Sequence, residues 1–281
     1  MSQTIREHLR LNAERLGSAA EQPLLDAQVL LAHVLEKDRS WLYAHADDPL
    51  PATAQAVFEQ LIEQRAAGHP VAHLTGRRAF WALELEVSTD TLIPRPETEL
   101  LIETVLQADL PEEAAVLDLG TGSGAIALAI AYERPRWQIT AVDRSVAALD
   151  VARRNLERLQ LKNVSLLHGD WFNALPAGSR FDAIVSNPPY IAERDPHLAH
   201  GDVRFEPREA LVSGADGLDD IRHLVAHAAT YLKPEGWLWL EHGYDQGDAV
   251  AGLLHQYAYR AVTGNRDLAG NARVSGGQRQ S

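Results

Sequence analysis

The chain is predicted to fold as an α/β protein, a mainly parallel sheet covered on both faces and preceded by a small helical domain. Three observations carry this. From Ala114 onward, short apolar runs rich in β-branched residues alternate with helical stretches, the order that builds a parallel sheet with helices on both sides. A glycine-rich turn, Gly120-Thr121-Gly122-Ser123-Gly124, joins the first of these runs to a helix. Residues 1–75 show only helical periodicity.

At 281 residues the chain suits one large domain, or a medium domain with a smaller one. Hydrophobic content of 46% and charged content of 23% are ordinary for a soluble globular protein. Cysteine is absent, which excludes disulfides and cysteine-ligated metals. Met1 to Glu7 is polar and lacks the apolar core of a signal peptide, and no apolar stretch is long enough to span a bilayer. A cytoplasmic protein with no membrane partner is expected. The net charge of −13 argues against broad binding to a phosphate backbone, so no direct nucleic-acid contact is expected. The twelve histidines are scattered, none is read as part of an i, i+4 pair beside a carboxylate on a helix, and no metal is assigned.

In the helical part, Thr4-Ile5-Arg6-Glu7 has the spacing of a capping box. Ile5, Leu9, Ala13 and Leu16 then line one helical face. A second helix from about Pro23 to Leu35 turns Leu24, Ala27, Leu31, Val34 and Leu35 inward. Pro51 opens a third, striped by Val57, Phe58, Leu61 and Ile62 and ended near Gly68. This part either grips a partner or only stabilises the rest. Trp81, Leu83, Leu85 and Val87 alternate with Ala82, Glu84 and Glu86, the pattern of a strand in a hairpin. Leu92-Ile93-Pro94-Arg95-Pro96-Glu97-Thr98-Glu99 follows, with Pro96 suited to the first turn of a helix through Leu101 and Val105. Arg95 reads as an ordinary loop arginine that faces the cleft only if other evidence places it there.

Four strands are expected at Ala115–Leu119, Gln138–Val142, Val164–Leu167 and Phe181–Val185, with helices at 125–132 and 146–159 between them. A long loop from Ile191 to about Gly217 leads to a helix over 218–232 and a fifth strand, Trp237–Glu241. Weaker strands around Tyr259–Val262 and Ala272–Ser275 close the chain.

The chemistry is expected at the strand ends, where open α/β sheets bind ligands. Gly120, Gly122 and Gly124, with Thr121 and Ser123, let the backbone approach a ligand at a helix N-terminus. Their G-x-G-x-G spacing is not the dinucleotide fingerprint. Asp143, ending the second strand, suits the two hydroxyls of a ribose. Asp170 and Trp171, ending the third, suit an adenine amino group and a stacking ring. Taken one at a time, Asp143 reads equally as a helix cap and Trp171 as a core aromatic. Together they describe an adenosine pocket with no phosphate-binding lysine, which S-adenosylmethionine fits. The fourth strand ends in Ser186-Asn187-Pro188-Pro189-Tyr190. Asn187 precedes a proline and is held extended. Its amide oxygen and the Pro188 carbonyl can accept both hydrogens of one planar NH2 group, with the Tyr190 ring packed beside it.

Asp118 to Gly124, Asp143 and Asn187-Pro188-Pro189-Tyr190 together resemble S-adenosylmethionine-dependent amino-methyltransferases. The loop Asn187 to His197, Gly201 to Pro207, Leu92 to Glu99 and the helical N-terminal part are similar to the bacterial peptide chain release factor glutamine methyltransferases. That resemblance covers nearly the whole chain and is weakest at the C-terminus. It implies a Rossmann-like methyltransferase sheet over residues 96–281, a linker or hairpin over 76–95, and a helical substrate-recognition domain over 1–75. It implies methyl transfer from S-adenosylmethionine, bound by Gly120, Thr121, Gly122, Ser123, Gly124, Asp143, Asp170, Trp171 and Asn187. The acceptor is the side-chain nitrogen (N5) of the glutamine in the Gly-Gly-Gln motif of class I release factors. Asn187, Pro188, Pro189 and Tyr190 are the implied substrate-binding residues, with Asn187, Pro188 and Tyr190 catalytic. A ribosomal-protein glutamine methyltransferase, a DNA adenine N6-methyltransferase and a non-catalytic adenosine-binding module are the alternatives. Gly276-Gly277-Gln278 spells the same tripeptide as the implied substrate. It is expected in a mobile tail after the last strand, where coincidence is preferred over a pseudo-substrate role.

Overall fold

The computed structural model describes residues 3–280. The chain forms two compact units. One comprises the chain up to Arg77 together with His197–Phe205, the other Arg78–Pro196 together with the chain from Glu206 onward.

The first unit holds α1 (Ile5–Leu16), α2 (Pro23–Leu35), α3 (Arg39–Ala44), α4 (Ala52–Ala66) and α5 (Val71–Thr75). The capping box at α1 is complete. Thr4 Oγ1 accepts from Glu7 N at 3.3 Å, and Glu7 Oε2 accepts from Thr4 N at 2.8 Å, which satisfies two backbone donors at the helix start. Ile5, Leu9 and Leu16 pack with Leu30, Leu31, Phe58 and Ile62 in one core. Leu24 and Val57, expected on the buried stripes, are instead 51% and 48% exposed. Val57 is one residue from Phe58, so it lies about 100° around the helix and off the packed arc. His197–Phe205 belongs here through long-range contacts. Arg65 pairs with Asp26 at 2.7 Å and with Asp202 at 3.4 Å. Arg204 Nη2 donates to Ala67 O, and the Phe205 ring lies 4.4 Å from that of His69. The domain boundaries expected from sequence run linearly and counted this segment with the sheet. Pairings 137 residues apart, such as Arg65 with Asp202, leave no local pattern to read.

In the second unit a hairpin of β1 (Arg77–Phe80) and β2 (Leu83–Glu86) leads through a 3₁₀ turn at Pro96–Thr98 into α6 (Glu99–Gln107). Then follow β3 (Ala115–Leu119), α7 (Ala125–Glu133), β4 (Gln138–Asp143), α8 (Val146–Leu159), β5 (Val164–His168) and β6 (Phe181–Ser186). The chain ends with α9 (Asp219–Tyr231), β7 (Leu232–Glu241), α10 (Gly247–Gln256), β8 (Arg260–Arg266) and β9 (Ala272–Gln278). The strands form one seven-stranded sheet in the order β5-β4-β3-β6-β7-β9-β8. The first five run parallel, and β9 is antiparallel to both neighbours. Alternate residues enter opposite cores, as a two-residue repeat requires. Val116, Ala183 and Val185 pack with α6 and α7, while Leu117, Leu119 and Ile184 pack with α9 and α10. All six residues of β6 are buried, the signature of a central parallel strand.

Some elements differ from expectation. α3, α5 and α10 were not anticipated; α3 and α5 are too short for a clear period. β7 begins at Leu232, before Lys233-Pro234-Glu235-Gly236, because Leu232 pairs with Phe181 ahead of a register shift to the Ala183–Trp237 pair. His223 and His227 stand four residues apart on α9, with ring centroids 4.4 Å apart. Among the described residues no cluster of three or more metal-ligating side chains occurs. No described helix is long and apolar enough to cross a membrane.

The Gly276-Gly277-Gln278 tripeptide is not in a mobile tail. It lies within β9, with Gly276 opposite Trp239, Gly277 opposite Leu238 and Gln278 opposite Trp237. The glycines are there for space: a Cβ on Gly276 would sit 2.1 Å from Trp239 Cδ1 and 2.8 Å from Leu238 O. Gly276→Ala should therefore destabilise the protein by about 1–3 kcal/mol, the usual cost of overpacking. Gln278→Ala at the strand end should change stability by less than about 0.5 kcal/mol. Urea unfolding midpoints of the two variants check this, and equal midpoints would contradict the packing account.

Candidate active site

The site lies at the carboxyl ends of β3, β4, β5 and β6. β3 delivers the glycine turn, in which Gly120, Gly122 and Gly124 all have positive φ (75°, 56° and 86°). Only glycine takes this conformation at little cost. The turn is clamped from several sides. Gly120 N and Thr121 N both donate to Val142 O at 2.9 and 3.0 Å. Thr121 Oγ1 donates to Asp118 Oδ2 at 2.6 Å. Asn155 of α8, fully buried, donates to Ser123 O at 3.0 Å while exchanging hydrogen bonds with the Glu86 backbone of β2. Asn155 was missed from sequence, since a polar residue on a helix ordinarily faces water.

A pocket opens over this turn, and most of the expected cofactor residues line it: Gly120, Thr121, Gly122, Ser123, Asp143, Asp170, Trp171 and Asn187. Gly124 does not. It caps the start of α7 in the left-handed conformation, packed against Leu128. Asp143 accepts from Gly122 N through Oδ2 and from Ser145 N through Oδ1, both at 2.8 Å. Each oxygen retains a second lone pair for a ligand donor. The helix cap of α8 is Ser145, so capping does not account for Asp143. Trp171 has a positive φ of 47°, and its ring lies where a Cβ on Gly120 would be 3.4 Å away. Such backbone strain in a non-glycine residue persists only where surroundings enforce it. Leu92, Pro94 and Thr98 from the stretch before α6, with Pro207 and Ala210, complete much of the wall.

β6 delivers Asn187 and Pro189 to the same pocket. Asn187 Nδ2 donates to Thr98 Oγ1 at 3.1 Å, which leaves Oδ1 as the open end of the amide. Pro188 is buried and, like Tyr190, is not part of the pocket lining. The Tyr190 hydroxyl instead reaches back to Glu241 Oε1 at 3.3 Å, and its backbone oxygen accepts from Gln246 Nε2 at 2.9 Å. Burial first, and the Glu241 charge second, hold this phenol protonated far above neutrality. Arg95 does not line the pocket; it donates to Glu206 Oε2 at 2.5 Å. Glu206 also accepts from Ile93 N at 2.9 Å, and so fixes the stretch that carries Thr98.

Sequence reasoning also missed Thr98 and Glu241. Glu241 closes β7 as Asp143 closes β4, an acid at the carboxyl end of a buried strand, and that signal was present. Its carboxyl is fully buried and is pushed up to about 7 by desolvation. The Thr98 and Tyr190 hydroxyls and the Arg273 charge pull it down, and Glu97 raises it.

The sheet that carries this glycine turn and these strand ends has the fold of the methyltransferases. The family model described as "Methyltransferase small domain" matches residues 96–206, and that described as "PrmC N-terminal domain" matches residues 7–76. The release factor glutamine methyltransferase of Xylella fastidiosa (strain 9a5c) is 56% identical over 255 residues, covering 90% of this chain and 92% of its own. That of Vibrio cholerae is 48% identical over 279 residues, covering 99% and 98%. A methyltransferase from Pyrococcus furiosus shares the fold, with a TM-score of 0.55 at 21% identity over 79% of this chain and 98% of its own. The chain belongs to the release factor glutamine methyltransferase family.

Asp118, beneath the glycine turn, gives a test of the electrostatics. It is completely buried, and its Oδ1 has no hydrogen-bond partner. Desolvation pushes its carboxyl from 3.8 up to about 7, opposed by bonds from Thr121 and Ala127 and reinforced by the Asp143 charge. A raised acid binds its proton in the folded state when the unfolded chain has already lost it. Its contribution to stability therefore falls as pH rises from about 3.8 to about 7 and is level above. Relative to the parent, Asp118→Asn should gain stability across that window, measured by denaturant unfolding without cofactor. A stability difference independent of pH would contradict the shifted carboxyl.

Proposed function

We infer that the protein transfers a methyl group from S-adenosylmethionine to the side-chain amide nitrogen of the glutamine in the Gly-Gly-Gln motif of class I peptide chain release factors. One observation carries the reading: Asn187 stands in the pocket wall with its amide nitrogen held by Thr98 and its oxygen left open. An acceptor of this kind suits a planar NH2 donor. The residues also fit the cofactor. The turn at Gly122 has open space where a side chain would be, so a ligand can lie against its backbone, at the start of α7. The pocket wall carries no lysine, as suits an adenosine with an amino-acid tail rather than phosphates.

When bound, S-adenosylmethionine supplies an electrophilic methyl carbon and a neutral thioether leaving group. The protein's task is to overcome the weak nucleophilicity of an amide nitrogen, whose lone pair is delocalised into its carbonyl. Asn187 Oδ1, in the pocket wall, accepts an N–H bond of the substrate and aims its nitrogen. Pro189 keeps the loop rigid. Tyr190, tied down by Glu241, supports the loop from behind. As the bond to the methyl carbon forms, the substrate nitrogen gives up one of its two protons to water, so the product amide keeps one N–H. Orientation and fixed dipoles carry the rate, effects worth several kcal/mol in a closed site. The helical unit is the substrate-recognition part in this reading, and a translation-factor substrate assigns the reaction to the cytoplasm.

Radiolabel transfer from S-adenosylmethionine to purified release factor, ribosomal protein and DNA, side by side, tests the assignment. Label is expected on the release factor at the Gly-Gly-Gln glutamine, and label confined to either other acceptor would overturn it. Asn187→Ala should lower turnover by about 100-fold or more while the protein stays folded. Asp143→Ala should weaken S-adenosylmethionine binding by about 1.5–3 kcal/mol in calorimetry, the worth of a hydrogen bond to a charged group.

A further inference from the structure

We propose that Glu241 and Thr98 are positioning residues that set which end of the Asn187 carboxamide faces the substrate. The proposal rests on the function inferred above and adds residues that do not touch the reacting atoms. The chain of contacts is short. Asn187 Nδ2 lies 3.1 Å from Thr98 Oγ1. The Thr98 hydroxyl favours the ionised form of the Glu241 carboxyl, and the Tyr190 hydroxyl reaches Glu241 Oε1 at 3.3 Å. Glu241 Oε2 is buried and has no hydrogen-bond partner.

The direction of these bonds follows from what each group can do. A threonine hydroxyl has one proton. If that proton points to Asn187, it occupies Oδ1 and the NH2 end faces the substrate, where two donors would oppose each other. If it points to Glu241, Oγ1 is free to accept from Nδ2, and Oδ1 is left for the substrate. An ionised carboxylate only accepts, so it draws the Thr98 and Tyr190 protons toward itself and enforces the second arrangement. A protonated or amide side chain at the same place can donate to Thr98 and permit the first. An isolated asparagine has little reason to prefer either end, because its two ends are nearly the same shape.

The surroundings of Glu241 tune this device. Arg273 of β9 and the hydroxyls of Thr98 and Tyr190 favour the ionised form, while burial and Glu97 disfavour it. Arg95 acts on the neighbouring Tyr190. His242, the next residue, is committed elsewhere: its Nδ1 faces Gly243 O and its Nε2 faces Ser275 Oγ, both at 2.8 Å. Burial keeps that imidazole neutral.

The test compares the parent with Glu241→Gln, Thr98→Val, Thr98→Ser and the Glu241→Gln/Thr98→Val double variant, on whole release factor. Glu241→Gln and Thr98→Val should each lower kcat by about 10- to 100-fold, with KM and the cofactor Kd moving by less than about threefold. The double variant should be no worse than about threefold below the poorer single variant, because both break one link. Thr98→Ser should restore turnover. The parent's kcat should rise with pH through the region near 7, and this rise should be missing in Glu241→Gln. Turnover of both single variants at the parent's level, or a pH rise that survives Glu241→Gln, would overturn the proposal. Should Glu241→Gln fail to fold, the contrast of Thr98→Val with Thr98→Ser decides alone. A parent that methylates no release factor would overturn the functional reading instead. The Asn187 side-chain NH2 signals in ¹⁵N NMR, identified by their loss in Asn187→Asp, still test the network in that case. They should shift with pH near neutrality in the parent and not in Glu241→Gln, and signals equally insensitive in both would sink it.

Discussion

The site depends on one parallel register, Leu119 of β3 opposite Ser186 of β6. Both strands are buried along their inner length, so a slip of one residue would turn every apolar side chain to the wrong core. That penalty fixes where each strand ends. The glycine turn and Asn187 therefore leave the sheet side by side, and Ser186 Oγ donates to Leu119 O at 2.6 Å across the gap. β4, paired with β3 through Leu119 opposite Val142, adds Asp143 one residue further on. Hydrophobic packing thus places polar groups to within the tolerance that methyl transfer needs, although none of those groups contributes to the packing.

The same arrangement carries a cost. Asp118 and Glu241 are carboxyls with almost no exposure, each with an oxygen lacking a partner. Burial of such groups is unfavourable in the ionised state, and both are raised to about 7 as a result. Neither lies in open water or at a salt bridge. Asp118 holds the threonine of the glycine turn, and Glu241 holds the tyrosine that follows the two prolines. Stability given up at these points is exchanged for a fixed loop geometry, a pattern common where a site must be rigid before its ligand arrives.

Much of this was legible in the residues. Alternating strand and helix patterns from Ala114, the glycine turn, Asp143 at one strand end and Asn187 at another are all local signals of period, breaker and strand terminus. Local physics produces them, so local reading recovers them. Gly276-Gly277-Gln278 shows the limit of that reading. Two glycines near a terminus suggest mobility, yet β7 supplies a tryptophan across the sheet that only glycine can face. The pairing partner, distant in sequence, decides what the glycines mean.

The sequence by itself determined the fold class and the strand ends at which the glycine turn, Asp143 and Asn187 leave the sheet. Those features follow from hydrophobic period and backbone restriction, which act over a few residues. Only the tertiary structure decided that Thr98 and Glu241 stand behind Asn187 and Tyr190, that Asn155 ties the glycine turn to β2, and that His197–Phe205 joins the helical unit. Each of these is a hydrogen bond or contact between groups tens of residues apart or more. Its energy depends on a distance set by the whole fold, and no short stretch of chain encodes that distance.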